Sequence, residues 1–68
     1  MPVGTIQRWE TERGFGFISD DSDAMKKWAF VHITETPDHR APEVGDAFSY
    51  EVREGRDGRE RATRLTAL

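Results

Sequence analysis

The stretch that decides the fold is RGFGFI, residues 13–18. Successive side chains of a β-strand point to opposite faces, so Phe15 and Phe17 share one face. Gly16 lies between them and puts no side chain on the opposite face, which lets another backbone approach closely or the strand coil tightly. The stretch therefore predicts a strand that presents two rings on one side.

A second stretch, AFVHI at residues 29–33, repeats this arrangement. Phe30 and His32 share one face, and Val31 points to the other. If the two strands pair, three phenylalanine rings and an imidazole form one patch with basic residues beside it. Unstacked nucleic-acid bases stack on such patches, so the pattern indicates a surface for single-stranded nucleic acid.

These two stretches resemble the two ribonucleoprotein motifs of cold-shock domains. GTI at 4–6 and GDAFSYEV at 45–52 look like the first and fourth strands of that family, and Glu54-Gly55 looks like the turn that follows. The resemblance implies an all-β fold, a five-stranded antiparallel OB-fold barrel formed as a single domain by residues 1–68. It also implies a protein of low sequence specificity that binds single-stranded RNA and DNA. Family members act as RNA chaperones or as regulators of transcription or translation, which links them to the stress response.

The remaining sequence divides into short strands separated by polar turns. Besides the RGFGFI strand, we predict strands at 5–10, 29–33, 47–53 and 59–65, a loop at 19–27 and an irregular connection at 34–43. The residues predicted to be buried include Ile6, Ile18, Val31, Phe48, Tyr50 and Val52, with Ala62 and Leu65 as apolar candidates in the last strand. Gly55 and Asp57-Gly58 signal a hairpin before that strand, whose register the sequence leaves open.

The composition limits the possible functions. A domain of 68 residues buries only roughly 60% of its unfolded surface, which leaves no room for a deep catalytic pocket. No apolar run approaches the roughly 18 residues of a membrane-spanning helix. The first residues lack the basic and apolar segments of a signal peptide, and cysteine is absent. We therefore expect a cytoplasmic protein that makes no membrane contact.

No motif for catalysis, metal or cofactor binding is recognisable. His32 has no second histidine at helical spacing, and residues 14–17 lack the third glycine and the helix of a phosphate-binding loop. The acidic run at 20–23 lacks the glycine and the closing glutamate of a calcium loop. We predict that the protein is not an enzyme and binds no cofactor or metal.

The formal net charge of −3 is unevenly distributed. Residues 1–52 carry five basic and ten acidic side chains, whereas residues 53–68 carry five basic and three acidic ones. The local sign near a binding face matters more than the total. Two interpretations of the basic hairpin stay open: its charges pair with one another in solvent, or Arg56 and Arg59 meet the backbone of a bound strand.

The sequence departs from the family pattern at several aromatic positions. Arg8 stands where the resemblance implies an exposed tryptophan, and Trp9 takes the position of the next aromatic residue. Trp9 can instead pack on the barrel rim, and Trp28 can either stack on a ligand or cover the core edge. The candidate nucleic-acid-binding residues are Gln7, Arg8, Trp9, Arg13, Phe15, Phe17, Phe30, His32, His39, Arg40, Arg56 and Arg59.

The lost aromatic residues and the acidic balance also support a different class of function. In that alternative, nucleic-acid binding has decayed and the barrel is a protein-interaction module, or a cold-shock-like domain of a longer chain. An open ring patch flanked by positive potential favours nucleic acid, and a covered patch favours the interaction module. We expect a monomer or a weak dimer in either case.

Overall fold

The computed structural model describes residues 2–22, 24–25 and 27–68, which form a closed barrel of five strands. The strands are β1 Val3–Glu10, β2 Phe15–Asp20, β3 Trp28–His32, β4 Ala47–Glu54 and β5 Glu60–Ala67. Two one-turn 3-10 helices, the first turn Ile33–Glu35 and the second turn Pro37–His39, occupy the connection between β3 and β4. The all-β prediction is confirmed, and the barrel is consistent with an OB-fold. Asp23 and Lys26 of the predicted loop lie outside the described residues.

One pair of neighbouring strands is parallel, which corrects the prediction of a strictly antiparallel barrel. The order around the barrel is β1-β2-β3-β5-β4, and β4 returns to pair with β1. Strand directions cannot alternate all the way around a ring with an odd number of members, so at least one pair must run parallel. That pair is β3 and β5, which meet at Phe30 and Arg61.

The core fills the interior of the barrel with apolar side chains from all five strands. Its buried members are Ile6, Ile18, Ala29, Val31, Phe48, Tyr50, Ala62 and Leu65. The prediction is confirmed for all the expected residues except Val52, which is 44% exposed. The register of β4 with β1 covers only Ala47 to Ser49, so Val52 extends past the part of the barrel that β1 covers.

A β-bulge in β1 decides where its side chains point. Ile6 lies opposite Ile18 and Arg8 lies opposite Phe17, so Gln7 is an extra residue without a register partner in β2. One extra residue reverses the alternation of the strand. Ile6 points into the core, whereas Arg8 points outward and Trp9 points inward. A regular strand would have put Ile6 and Arg8 on the same face.

Gly16 allows β1 and β2 to approach closely at this point. A Cβ atom on Gly16 would overlap the Arg8 carbonyl oxygen and the Trp9 ring. Trp9 is partly buried and packs against the core from this position. The close approach predicted at Gly16 is therefore confirmed, and its cause is the indole ring that covers the glycine.

The β4–β5 hairpin is where the glycines predicted it. The Gly55 N–H donates to the Arg59 carbonyl at 2.8 Å, and the Gly58 N–H donates to the Gly55 carbonyl at 3.0 Å. Further along β5 a bulge interrupts the pairing with β4 between Ser49 and Glu51. Arg64 lies in this bulge with a φ of 52°. The bulge explains why alternation alone left the register of β5 open.

Within the described part of the chain, no helix has the length and apolar character needed to cross a membrane.

Candidate nucleic-acid interface

The pairing of β2 with β3 brings the predicted rings together on the outside of the barrel. Phe15 lies opposite His32, Phe17 lies opposite Phe30, and Ser19 lies opposite Trp28. The three phenylalanine rings are half-buried, and His32 and Trp28 are exposed. We call this surface the ring face and define it by Phe15, Phe17, Trp28, Phe30 and His32. The prediction that the phenylalanines lie outside the core is confirmed.

The rings of this surface contact one another in a continuous cluster. Phe15 and Phe30 are stacked, with centroids 5.4 Å apart and planes at 28°. Phe17 meets both of them edge-on, at centroid distances of 6.3 Å and 6.1 Å. Edge-to-face and offset contacts of this kind are favourable for aromatic pairs. The cluster therefore holds its rings in place and leaves their outer surfaces available to a ligand.

Trp28 extends the ring face beyond the predicted patch. Its ring centroid lies 5.6 Å from that of Phe17, and the residue is 52% exposed. Of the two roles that the sequence left open, the structure therefore favours the stacking surface over the core edge. Trp28 begins β3, opposite Ser19, and this register puts it on the same face as Phe30.

Two polar groups border the rings on the side of Phe15. The Arg13 guanidinium carbon lies 5.6 Å from the Phe15 ring centroid, within the range of a cation–π contact. The Thr34 N–H donates to His32 Nδ1 at 3.3 Å. The same Nδ1 lies 2.9 Å from Thr34 Oγ1. Thr34 thus holds the His32 ring by its Nδ1 atom, beside the rings.

Two open grooves run along the ring face. The first groove has a volume of 340 Å³ and is lined by Phe15, Phe17, Phe30, Asp57, Arg59, Glu60 and Arg61. The second groove has a volume of 260 Å³ and is lined by Phe30, His32, Thr34, Glu35, Arg61, Ala62 and Thr63. Phe30 and Arg61 belong to both grooves, so the two are adjacent. No described residue of segment 20–27 lines either of them.

Ion pairs occupy some of the cations near the rings. Arg8 contacts Glu10 at 2.6 Å, and Arg59 lies 3.9 Å from Asp57. Exposed pairs of this kind contribute only about 0–1 kcal/mol. A phosphate can therefore compete for either guanidinium at small cost. Arg59 is paired and also lines the first groove, and its contact with the backbone of a bound strand stays a prediction.

Several predicted site residues lie away from the grooves. Trp9 points into the barrel, so it does not contribute a ring to the outer face. The Gln7 side chain donates to Ser19 Oγ at 2.9 Å and thereby bridges β1 and β2. His39 ends the second turn and Arg40 follows it, and neither residue lines a groove. Arg56 at the hairpin tip also lines neither groove.

Seven groove residues were absent from the sequence-based site, and two of them, Arg61 and Glu35, matter most for the chemistry of the grooves. Arg61 was identified only as one charge of the basic hairpin, and Glu35 only as part of an irregular connection. The pairing of β5 with β3 puts Arg61 beside Phe30. A parallel pairing between distant strands leaves no signal in local alternation, so this placement required the three-dimensional structure.

Comparison with known proteins fits this architecture, although no family model matches the chain. Cold shock protein 1 of Arabidopsis thaliana is 27% identical over 65 residues, which is 96% of this chain and 22% of that protein. Cold shock protein ScoF of Streptomyces coelicolor is 28% identical over 58 residues, which is 85% of this chain and 87% of that protein. The chain is thus similar to cold shock proteins over most of its length, and the predicted resemblance to the cold-shock domain family is confirmed. The chain spans about a fifth of the length of the Arabidopsis relative and most of the length of the Streptomyces one.

Proposed function

We propose that this cold-shock-type domain binds single-stranded RNA and DNA by stacking bases on the ring face. The observation that carries the proposal is the continuous cluster of Phe15, Phe17, Phe30 and Trp28 on one open outer surface. An exposed aromatic cluster on so small a domain calls for a ligand. Bases of any kind offer a π-face, so binding has low sequence specificity over most of the surface.

Charge supports the proposal without dominating it. Arg13 lies over Phe15, and Arg61 borders both grooves. A strand whose bases stack on the rings would bring its phosphates near these guanidinium groups. Asp57 and Glu60 also line the first groove and repel phosphate there. We therefore expect stacking to supply more of the binding energy than phosphate contacts do.

The proposed cellular role follows from this mode of binding. A protein that holds unpaired bases with little sequence preference suits the work of an RNA chaperone or a regulator of transcription or translation. On this proposal the domain is not an enzyme, acts in the cytoplasm and works as a monomer or a weak dimer.

The test is titration with matched single-stranded and double-stranded oligonucleotides, followed by tryptophan fluorescence and by anisotropy of a labelled strand. Single strands are expected to bind and duplex much more weakly, because paired bases do not expose their faces. Trp28 is the expected source of the fluorescence change. Trp28→Phe should remove most of that change while anisotropy still reports binding, whereas Trp9→Phe should retain it. Equal affinity for single-stranded and double-stranded oligonucleotides would contradict the stacking model and indicate simple charge attraction.

The acidic lining of the first groove favours one alternative, a protein-interaction module. Asp57 and Glu60 beside three rings also suit a peptide with basic and apolar side chains. Failure of every oligonucleotide to bind at low salt would favour this alternative over the nucleic-acid proposal.

A further inference from the structure

A carboxylate that accepts a hydrogen bond from the barrel backbone lines the second groove, and we infer that Glu35 makes this groove select a guanine base. The inference rests on the proposed function, because it assigns a base preference to the same surface. Glu35 is the last residue of the first 3-10 turn, Ile33–Glu35, and lines the second groove. Its Oε1 accepts the backbone N–H of Arg64 at 3.1 Å. Among the described residues, no other hydrogen bond engages this carboxylate.

The β5 bulge is the reason that this hydrogen bond exists. Arg64 has a φ of 52° and lies where the β4–β5 register is interrupted, so its N–H has no register partner in β4. Glu35 supplies an acceptor for this N–H in an exposed hydrogen bond. The bond anchors one oxygen of the Glu35 carboxylate on the backbone of β5.

The other residues of the second groove suit a base that is next, along the nucleic acid, to a base bound in the first groove. Phe30 is shared by both grooves and offers a ring for stacking. Arg61 is shared as well and lies opposite Phe30 in the β3–β5 pairing. A strand that stacks on Phe30 thus brings the edge of a neighbouring base toward Glu35.

The chemistry of the bases decides which one this carboxylate accepts. An ionised carboxylate is only an acceptor of hydrogen bonds. The pairing edge of guanine presents two adjacent donors, the N1–H and the 2-amino group, which match carboxylate oxygens. Thymine and uracil present one N–H between two carbonyl oxygens that repel the carboxylate. Adenine and cytosine present one amino group next to a ring nitrogen acceptor.

The probe is an oligothymidine strand of about eight nucleotides, within the usual site size of an OB-fold. A single guanine is moved through its positions, and the best placement is repeated with hypoxanthine, which lacks the 2-amino group. For the wild-type protein, one guanine placement is expected to raise affinity about tenfold, the value of one hydrogen bond to a charged group. Hypoxanthine is expected to give an intermediate affinity.

Glu35→Gln tests the assignment to this residue. The amide oxygen of glutamine can still accept the Arg64 N–H, which leaves the amino group toward the ligand and removes the guanine preference. Glu43→Gln is the matched control, because it makes the same change of charge at an exposed residue outside both grooves and should keep that preference. The thymine, guanine and hypoxanthine series on the wild-type protein tests the inference independently of how well the Glu35 variant folds.

Each outcome decides one point. Binding of oligothymidine with no gain from guanine overturns this inference and leaves the proposed function standing. A guanine preference that persists in Glu35→Gln overturns the role of Glu35. Absence of binding to every strand overturns the proposed function, and the inference falls with it.

Discussion

Arg8 and Trp9 are adjacent in sequence yet lie on opposite sides of the barrel wall. Gln7 is the extra residue of the β1 bulge, and it turns the Arg8 side chain outward beside Phe17. Trp9 consequently covers Gly16 from inside. The ring face therefore has a cation where the resemblance implies a tryptophan, and the tryptophan that follows cannot replace that ring.

Arg8→Trp is expected to strengthen single-strand binding by up to about 1–3 kcal/mol, the value of one stacked base. The Arg8–Glu10 pair is exposed and contributes about 0–1 kcal/mol, so its loss should barely change stability. If Arg8 contacts a phosphate, the log–log salt slope should also flatten by about 0.7. Affinity is measured at several salt concentrations, with Arg56→Trp as the control because Arg56 lines neither groove. Unchanged affinity and slope would show that the ligand does not pass over position 8.

Phe17→Ala and Phe30→Ala are each expected to weaken single-strand binding by about 1–3 kcal/mol, roughly 5- to 150-fold. Both rings lie on the outer face, so the barrel should remain folded. Ile18→Ala is the contrasting variant in β2, because Ile18 is fully buried and its truncation should cost about 2–5 kcal/mol of stability. Binding is measured by anisotropy and folding by urea titration. Unfolding of either phenylalanine variant would contradict the assignment of those rings to the outside.

How far these side chains could be predicted depended on the regularity of their strands. Alternation in β2 and β3 is unbroken, so the facing of Phe15, Phe17, Phe30 and His32 followed from sequence. In β1 the bulge reversed that alternation, and no residue type marks Gln7 as the extra one. The ring contact of Trp28 was also undetermined, because it depends on where β3 begins.

At the scale of elements, the close contact between β1 and β2 depends on Gly16 having no side chain. Gly16→Ala would push a methyl group into the Arg8 carbonyl and the Trp9 ring. Overpacking of this kind costs about 1–3 kcal/mol, and the rigid backbone makes the upper end the expected value. Urea unfolding measures the effect.

Gly45→Ala provides the comparison for this prediction. Nothing lies within 4 Å of an added Cβ there, and φ is 98°, so only backbone strain opposes the change. That strain costs about 1–2 kcal/mol. A loss for Gly16→Ala no greater than for Gly45→Ala would contradict the close packing of Trp9.

Asp20, the last residue of β2, has a carboxylate whose pKa is lowered by the turn that follows. The Ser22 hydroxyl and the Ser22 N–H both donate to Asp20 Oδ1, at 2.7 Å and 2.8 Å, and the hydroxyl bond is the larger cause of the lowered pKa. A carboxyl whose folded pKa is depressed stabilises the fold above its unfolded pKa and loses that effect as pH falls through the folded value. Ser22→Ala is expected to raise the pKa of Asp20 toward its ordinary value of 3.8, measured by carboxyl-carbon NMR. An unchanged titration would contradict the bond from the Ser22 hydroxyl, because the variant keeps the backbone N–H.

At the scale of the whole molecule, the sequence predicted the five strands of the barrel more completely than it predicted how the barrel closes. Five short strands with turn signals between them predicted the architecture. The parallel pairing of β3 with β5 and the bulge at Arg64 were not predictable, because both depend on contacts between distant parts of the chain. The same two features position Arg61 and Glu35, so the sequence predicted Phe30 and His32 of the second groove but not these two charged residues.

If the proposed function holds, the β3–β5 junction makes the stability of the barrel depend on the bound nucleic acid. Phe30 and Arg61 are the register pair of β3 with β5, and both grooves lie across this junction. A nucleic acid bound to the rings would contact both β3 and β5, which share little pairing, and would hold them together reversibly. Local opening there sets the hydrogen-exchange rates of the nearby β5 amides. A ligand that binds only the closed barrel slows this exchange by a factor of 1 + [L]/Kd. The ligand should therefore protect amides at the β3–β5 junction more than those of the β1–β2 pairing.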